Sequence, residues 1–156
     1  MSVLRAKPRN LLSWCFDVYD GREHLTTIDT AWFGERGDFL MDGRAYQVRK
    51  LGVFSGHFVL RADGQTIAEA QKDSAFRRSF TVSWGGETMT LSAAHALTRR
   101  FVLERDAVNA GEVVPDSIIS RKLTATFPDD LTRPVRLFLL FLVIVLWRRQ
   151  QANSSS

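Results

Sequence analysis

The chain has 156 residues, 45% of them hydrophobic, which suits a single domain with a core of its own. Its 21 Lys and Arg against 17 Asp and Glu leave a net charge of +4, a bias toward anionic partners that is too small to predict nucleic acid. Cys15 is the only cysteine, which excludes an intramolecular disulfide and a cysteine-built zinc site and points to a reducing, cytoplasmic setting.

Residues 1–10 are polar and basic, with Arg5, Lys7 and Arg9, and read as an N-terminal arm. Leu11 and Leu12 follow instead of a sustained apolar stretch, so no signal peptide is expected.

From Leu11 to Phe127 apolar and polar residues alternate in short segments broken by turn residues, the pattern of an all-β sandwich or barrel. Trp14, Phe16 and Val18 precede Asp20-Gly21. Asp42-Gly43 parts Phe39 and Met41 from Tyr46 and Val48, and Phe58 and Leu60 precede Asp63-Gly64. Phe80, Val82 and Trp84 lead through Gly85-Gly86 to Met89 and Leu91. Tight hairpin turns need positive φ, which glycine adopts without steric penalty. Phe58-Val59-Leu60 with Asp63 and Glu69 stands in the same register as Phe101-Val102-Leu103 with Asp106 and Glu112, so a degenerate hairpin repeat competes with chance likeness between amphipathic hairpins. Ten to twelve short strands are more than one flat sheet holds without closing.

The composition then changes. Asp130 or Thr132 can cap a helix, Pro134 suits its first turn, and Leu137 to Trp147 is apolar all round before Arg148 and Arg149. Such a helix must be enclosed by lipid or by protein. Eleven apolar residues rise only ~16 Å, short of a bilayer core of ~30 Å but close to the height of a barrel of five- to seven-residue strands. The expectation is a closed antiparallel β-barrel over residues 11–150 around a central helix at about 133–150, with a disordered tail at 151–156. A tail-anchored protein with a cytosolic β-domain is the alternative.

Hairpins with Asp20-Gly21, Asp42-Gly43 and Asp63-Gly64, followed by an apolar helix from Val135 to Trp147, resemble the tubby-like superfamily, which includes tubby C-terminal domains, LURP-one-related proteins and phospholipid scramblases. The similarity is one of pattern and covers nearly the whole chain. It implies a barrel threaded by its C-terminal helix and a role facing lipid headgroups.

Basic doublets recur at Arg49-Lys50, Arg77-Arg78, Arg99-Arg100, Arg121-Lys122 and Arg148-Arg149. Neighbours in a strand face opposite sides, so doublets belong at strand ends, where neither charge is buried. Lys72, Arg77, Arg78, Arg99 and Arg100 are the candidate anion site, suited to phospholipid headgroups at a membrane surface. The competing reading is a set of solvated charges balanced by Glu69, Glu87 and Glu104. His24, His57 and His95 have no metal-ligand spacing, and no hydrolase, zincin, phosphate-loop or EF-hand motif occurs. The expected protein is therefore a monomeric, non-enzymatic binder without cofactor or metal. An enzyme acting on a phosphate-bearing substrate at a basic rim is the further alternative.

Overall fold

A computed structural model describes residues 1–10, 12–30, 36–52 and 56–155. Twelve strands form one closed antiparallel barrel: β1 (Ser2–Pro8), β2 (Cys15–Asp20), β3 (Glu23–Thr30), β4 (Gly37–Met41), β5 (Arg44–Leu51), β6 (His57–Ala62), β7 (Gln65–Lys72), β8 (Ser79–Trp84), β9 (Glu87–Ala93), β10 (Phe101–Arg105), β11 (Val108–Pro115) and β12 (Leu123–Phe127). Every strand pairs with its neighbours in sequence, and β1 closes the ring against β12 from Ser2↔Phe127 to Ala6↔Leu123.

The one helix among the described residues, α1 (Arg133–Ser154), is the core. All residues from Val135 to Trp147 are buried, whichever face of the helix they lie on. Inward-pointing Leu4, Phe16, Val18, Ile28, Val48, Phe58, Leu60, Phe80, Val82, Leu91, Phe101, Leu103, Val113, Leu123 and Phe127 are fully covered and belong to one cluster with the helix. Thirteen helical residues rise ~20 Å and strands of five to eight residues ~17–26 Å before tilt, so the two heights agree. A ring of eight strands is filled by its own side chains, whereas twelve leave room for a helix. Placing Leu137 to Trp147 in a bilayer is at odds with this enclosure, and among the described residues no helix is long and apolar enough to cross a membrane.

Two expectations are corrected. The polar arm is strand β1: Leu4 and Ala6 face the core while Arg5 and Lys7 alternate outward, so the charges that made the segment read as an arm outside the barrel occupy its solvent face. The helix also runs to Ser154, through most of the expected tail. Thr132 is its N-cap by backbone geometry and makes no side-chain capping bond, and Pro134 sits in the first turn as expected.

The two ends of the barrel differ. At the turn end five two-residue hairpins join β2–β3, β4–β5, β6–β7, β8–β9 and β10–β11, and α1 enters there after Phe127. Asp42-Gly43, Asp63-Gly64, Gly85-Gly86 and Asp106-Ala107 each have two successive positive φ values, the requirement of a type I′ turn. The first hairpin differs by one residue from expectation, since its central pair is Gly21-Arg22. At the opposite end, the loop end, longer connections at 9–14, 73–78, 94–100 and 116–122 surround the emerging C-terminal part of α1.

Candidate functional site

All five basic doublets lie toward the loop end. Arg77-Arg78, Arg99-Arg100 and Arg121-Lys122 stand immediately before β8, β10 and β12, Arg49-Lys50 is at the end of β5, and Arg148-Arg149 lies where α1 leaves the barrel. The geometric cause is the hairpin period. Each unit of down-strand, tight turn, up-strand and loop returns the chain to the same end, so residues about one unit apart in sequence share a rim.

Three of these arginines make the same kind of contact. Arg78 donates to the His95 carbonyl (3.3 Å) in the next loop and to Gln150 Oε1 (3.1 Å) on α1, and lies 5.7 Å from the Phe101 ring centroid. Arg99 donates to the carbonyls of Ile118 (3.0 Å) and Ser120 (2.5 Å) in the following loop and stacks 4.2 Å over Trp147. Arg121 donates to the carbonyls of Asn10 (2.7 Å) and Ser13 in the loop after that, 5.4 Å from the Trp14 ring. Three loops, 73–78, 94–100 and 116–122, therefore each carry near their end an arginine that holds the next loop around the ring. Trp147 ties this set to the core, since its indole N–H donates to the Arg99 carbonyl at 3.0 Å.

Electrostatically the ends differ in degree, since Arg49 and Arg100 at the loop end are also ion-paired, with Asp38 (2.9 Å) and Glu112 (2.6 Å), while three other arginines there are not. At the turn end, arginines meet carboxylates: Arg44 with Asp63 (3.0 Å), and Arg105 with both Glu87 (2.7 Å) and Asp130 (2.8 Å). These pairs hold the Asp130 carboxyl below its ordinary range, chiefly through the hydrogen bonds from Arg105. At the loop end, Arg78, Arg99 and Arg121 meet carbonyl oxygens, and among the described residues none of the three has a carboxylate within ion-pair distance. Burial pushes all three guanidinium pKa values down, yet guanidinium begins so high that each keeps its charge at neutral pH. Carbonyl dipoles satisfy their hydrogen bonds without cancelling that charge.

The expected site residues thus share an end but not one pocket. Arg77 and Arg78 line a cleft with Phe76, His95 and Leu97, while Arg99 lines a second with Trp14, Ile118, Arg121 and Trp147, of about 500 Å³. Among the described residues neither cleft has a carboxylate in its lining, so the expected grouping of Arg77, Arg99 and a carboxylate around one pocket is not seen there. Lys72 turns its ammonium to the Ala75 carbonyl (3.1 Å), and Arg100 pairs with Glu112 (2.6 Å). Of the carboxylates expected to balance the doublets, Glu87 serves Arg105 and Glu69 faces His57 at 3.2 Å. His24 meets Asp17 and His95 meets the Ala96 carbonyl, so the three histidines lie on separate parts of the fold.

Arg121 and the apolar residues at the loop tips were not among the expected site residues. The signal was present as an apolar residue one or two positions ahead of a doublet: Phe76-Arg77-Arg78, Leu97-Thr98-Arg99-Arg100 and Ile119-Ser120-Arg121-Lys122. Comparison with protein families, with curated proteins and with solved structures returns no match for this chain.

Proposed function

We propose that this barrel is a cytosolic, peripheral membrane protein whose loop end docks on anionic phospholipid. The observation that carries the reading is the gathering of the basic doublets on one end, with Arg78, Arg99 and Arg121 bonded to carbonyls so that their charge stays uncompensated. A surface of that kind attracts an anionic leaflet at about 1 kcal/mol per basic residue near it, and the attraction weakens with salt. The carboxylate-paired turn end offers no comparable field. The barrel threaded by an apolar helix is also the architecture of the tubby-like superfamily, and membership in it would fit a headgroup-facing role. That assignment rests on architecture alone.

Co-sedimentation with vesicles tests the reading. The protein is expected to pellet with phosphatidylcholine vesicles containing phosphatidylserine and not with phosphatidylcholine alone. The double reversal R77E/K122E changes two exposed side chains outside the loop clamps and is expected to weaken binding about tenfold or more. Equal binding to both vesicle types, or binding to neither, would overturn the reading.

A further inference from the structure

The loop end is also where the exposed apolar side chains gather. Phe76 is 97% exposed, Ile119 94%, Ile118 92%, and Leu12 and Leu97 87%, while Leu40, Val108, Met1 and Val3 elsewhere range from 67% down to 43%. The five most exposed large apolar residues among those described therefore stand on four loops of one rim. Scattered exposed leucines need no explanation, but a ring of tips confined to one end of a closed barrel does.

From this we infer that the docked protein inserts these tips, Leu12, Phe76, Leu97, Ile118 and Ile119, into the bilayer below the headgroups. The inference rests on the loop end being the membrane-facing surface. Three observations support it.

The first is the state of the backbone. Irregular chain enters an apolar medium only if its polar groups are already bonded. At these tips the Ile118 and Ser120 carbonyls accept from Arg99, the Ala75 carbonyl from Lys72, and the His95 carbonyl from Arg78. The Leu12 N–H donates to Asn10 Oδ1, and the Ser120 N–H to the Ser117 carbonyl. The clamps that leave charge at the rim thus also remove hydrogen-bonding demand from the segments that would enter.

The second is conformation. Leu97 is held at φ +69°, a left-handed value that a leucine adopts only at a cost, and its side chain is nonetheless left in solvent. Folding alone gains nothing from that arrangement, whereas a bilayer would recover the exposed surface.

The third is the order of groups. Each tip of the later loops is followed within three residues by a doublet, which places guanidinium and ammonium groups one layer behind the apolar atoms. A protein partner would favour a contiguous apolar centre depleted of charge. Apolar tips separated by cations match instead the boundary between acyl chains and anionic headgroups, where insertion is shallow, ~5–10 Å.

The test is a fluorescent depth reporter on the full chain. In a C15S background, an NBD label is attached at I118C on the loop end or at Q65C, at the turn end. With vesicles containing phosphatidylserine, the label at 118 is expected to shift to the blue and to be quenched by brominated acyl chains, and the label at 65 to do neither. The variant F76S/I118S/I119S, altered only at exposed positions, is expected to melt as the parent does and to bind these vesicles at least tenfold more weakly in 0.5 M salt. A label at 118 that stays in water while the protein still sediments with phosphatidylserine overturns insertion and leaves docking standing. A blue shift with soluble inositol hexakisphosphate alone assigns the change to headgroup charge and also overturns insertion. Failure to sediment with phosphatidylserine overturns both.

Discussion

At residue scale, the five tight turns separate what glycine does from what other residues tolerate. Three of the four type I′ turns have glycine at the second central position, but the fourth has Ala107 at φ +61°. An L-residue in that region carries a steric cost that glycine avoids, partly offset by glycine's larger loss of freedom on folding. Ala107→Gly is therefore expected to stabilise the protein by about 0.5–1 kcal/mol, seen as a rise in the thermal midpoint. Asp17 offers a second test. The Thr27 hydroxyl, donating at 2.6 Å, is the largest cause holding its carboxyl below the ordinary aspartate range, and His24 and Arg9 add to it. A carboxyl with a lowered folded pKa contributes stability above its unfolded pKa and loses it as pH falls through the folded value. Acid unfolding titrations below about pH 4 are expected to show a shallower loss for Asp17→Asn than for the parent. Turn residues were legible because glycine and aspartate mark positive φ. Ala107 was not, since alanine gives no such sign and only Asp106 ahead of it marked the turn.

At the scale of elements, three of the hairpins carry a bulge at the same place. The register slips between Val18 and Tyr19, Leu60 and Arg61, and Leu103 and Glu104, leaving Leu25, Ile67 and Ala110 as the extra residues, while β4–β5 and β8–β9 pair without a slip. The repeating unit is thus a bulged hairpin followed by a regular one, which is why Phe58 to Glu69 aligned with Phe101 to Glu112 across an intervening hairpin. Each bulge adds twist, and the twist helps to close the ring. Alternation revealed the strands, but a bulge breaks alternation by a single residue and is hidden in the pattern that reveals the strand. Charged outward positions concealed β1 in the same way. The fit between wall and helix is checked at Gly37, where an added Cβ would lie 2.7 Å from the Phe141 ring. Gly37→Ala is expected to cost about 1–3 kcal/mol by overpacking, and Phe141→Leu in the same chain to recover part of that loss in denaturant titrations. A loss in the double variant equal to the sum of the two single losses would mean that strand and helix do not press on each other there.

At the scale of the whole molecule, the helix and the barrel are each incomplete alone. Leu137 to Trp147 has no face suited to water, and the inward aromatic residues of the strands would surround a void without it. A chain ending before Pro134 is accordingly expected to be insoluble or unfolded by circular dichroism, and a folded soluble product would contradict the role of α1 as core. This relation was readable from length, since an apolar run too short for a bilayer but as long as a barrel is tall has few other places to go. The rim was only half readable. Doublets stand out in any sequence, but apolar residues in loops have no period and are easily counted toward the core. The position of α1 after all twelve strands also governs how this protein is made. A ribosome releases the wall before the plug, so the inner faces of β2 to β12 emerge with nothing to cover them, and β1 waits for the last strand before the ring can shut. The barrel therefore cannot close until β12 and α1 have emerged, long-range closure is expected to be a slow step, and the exposed strands are natural clients for chaperones that shield apolar surface.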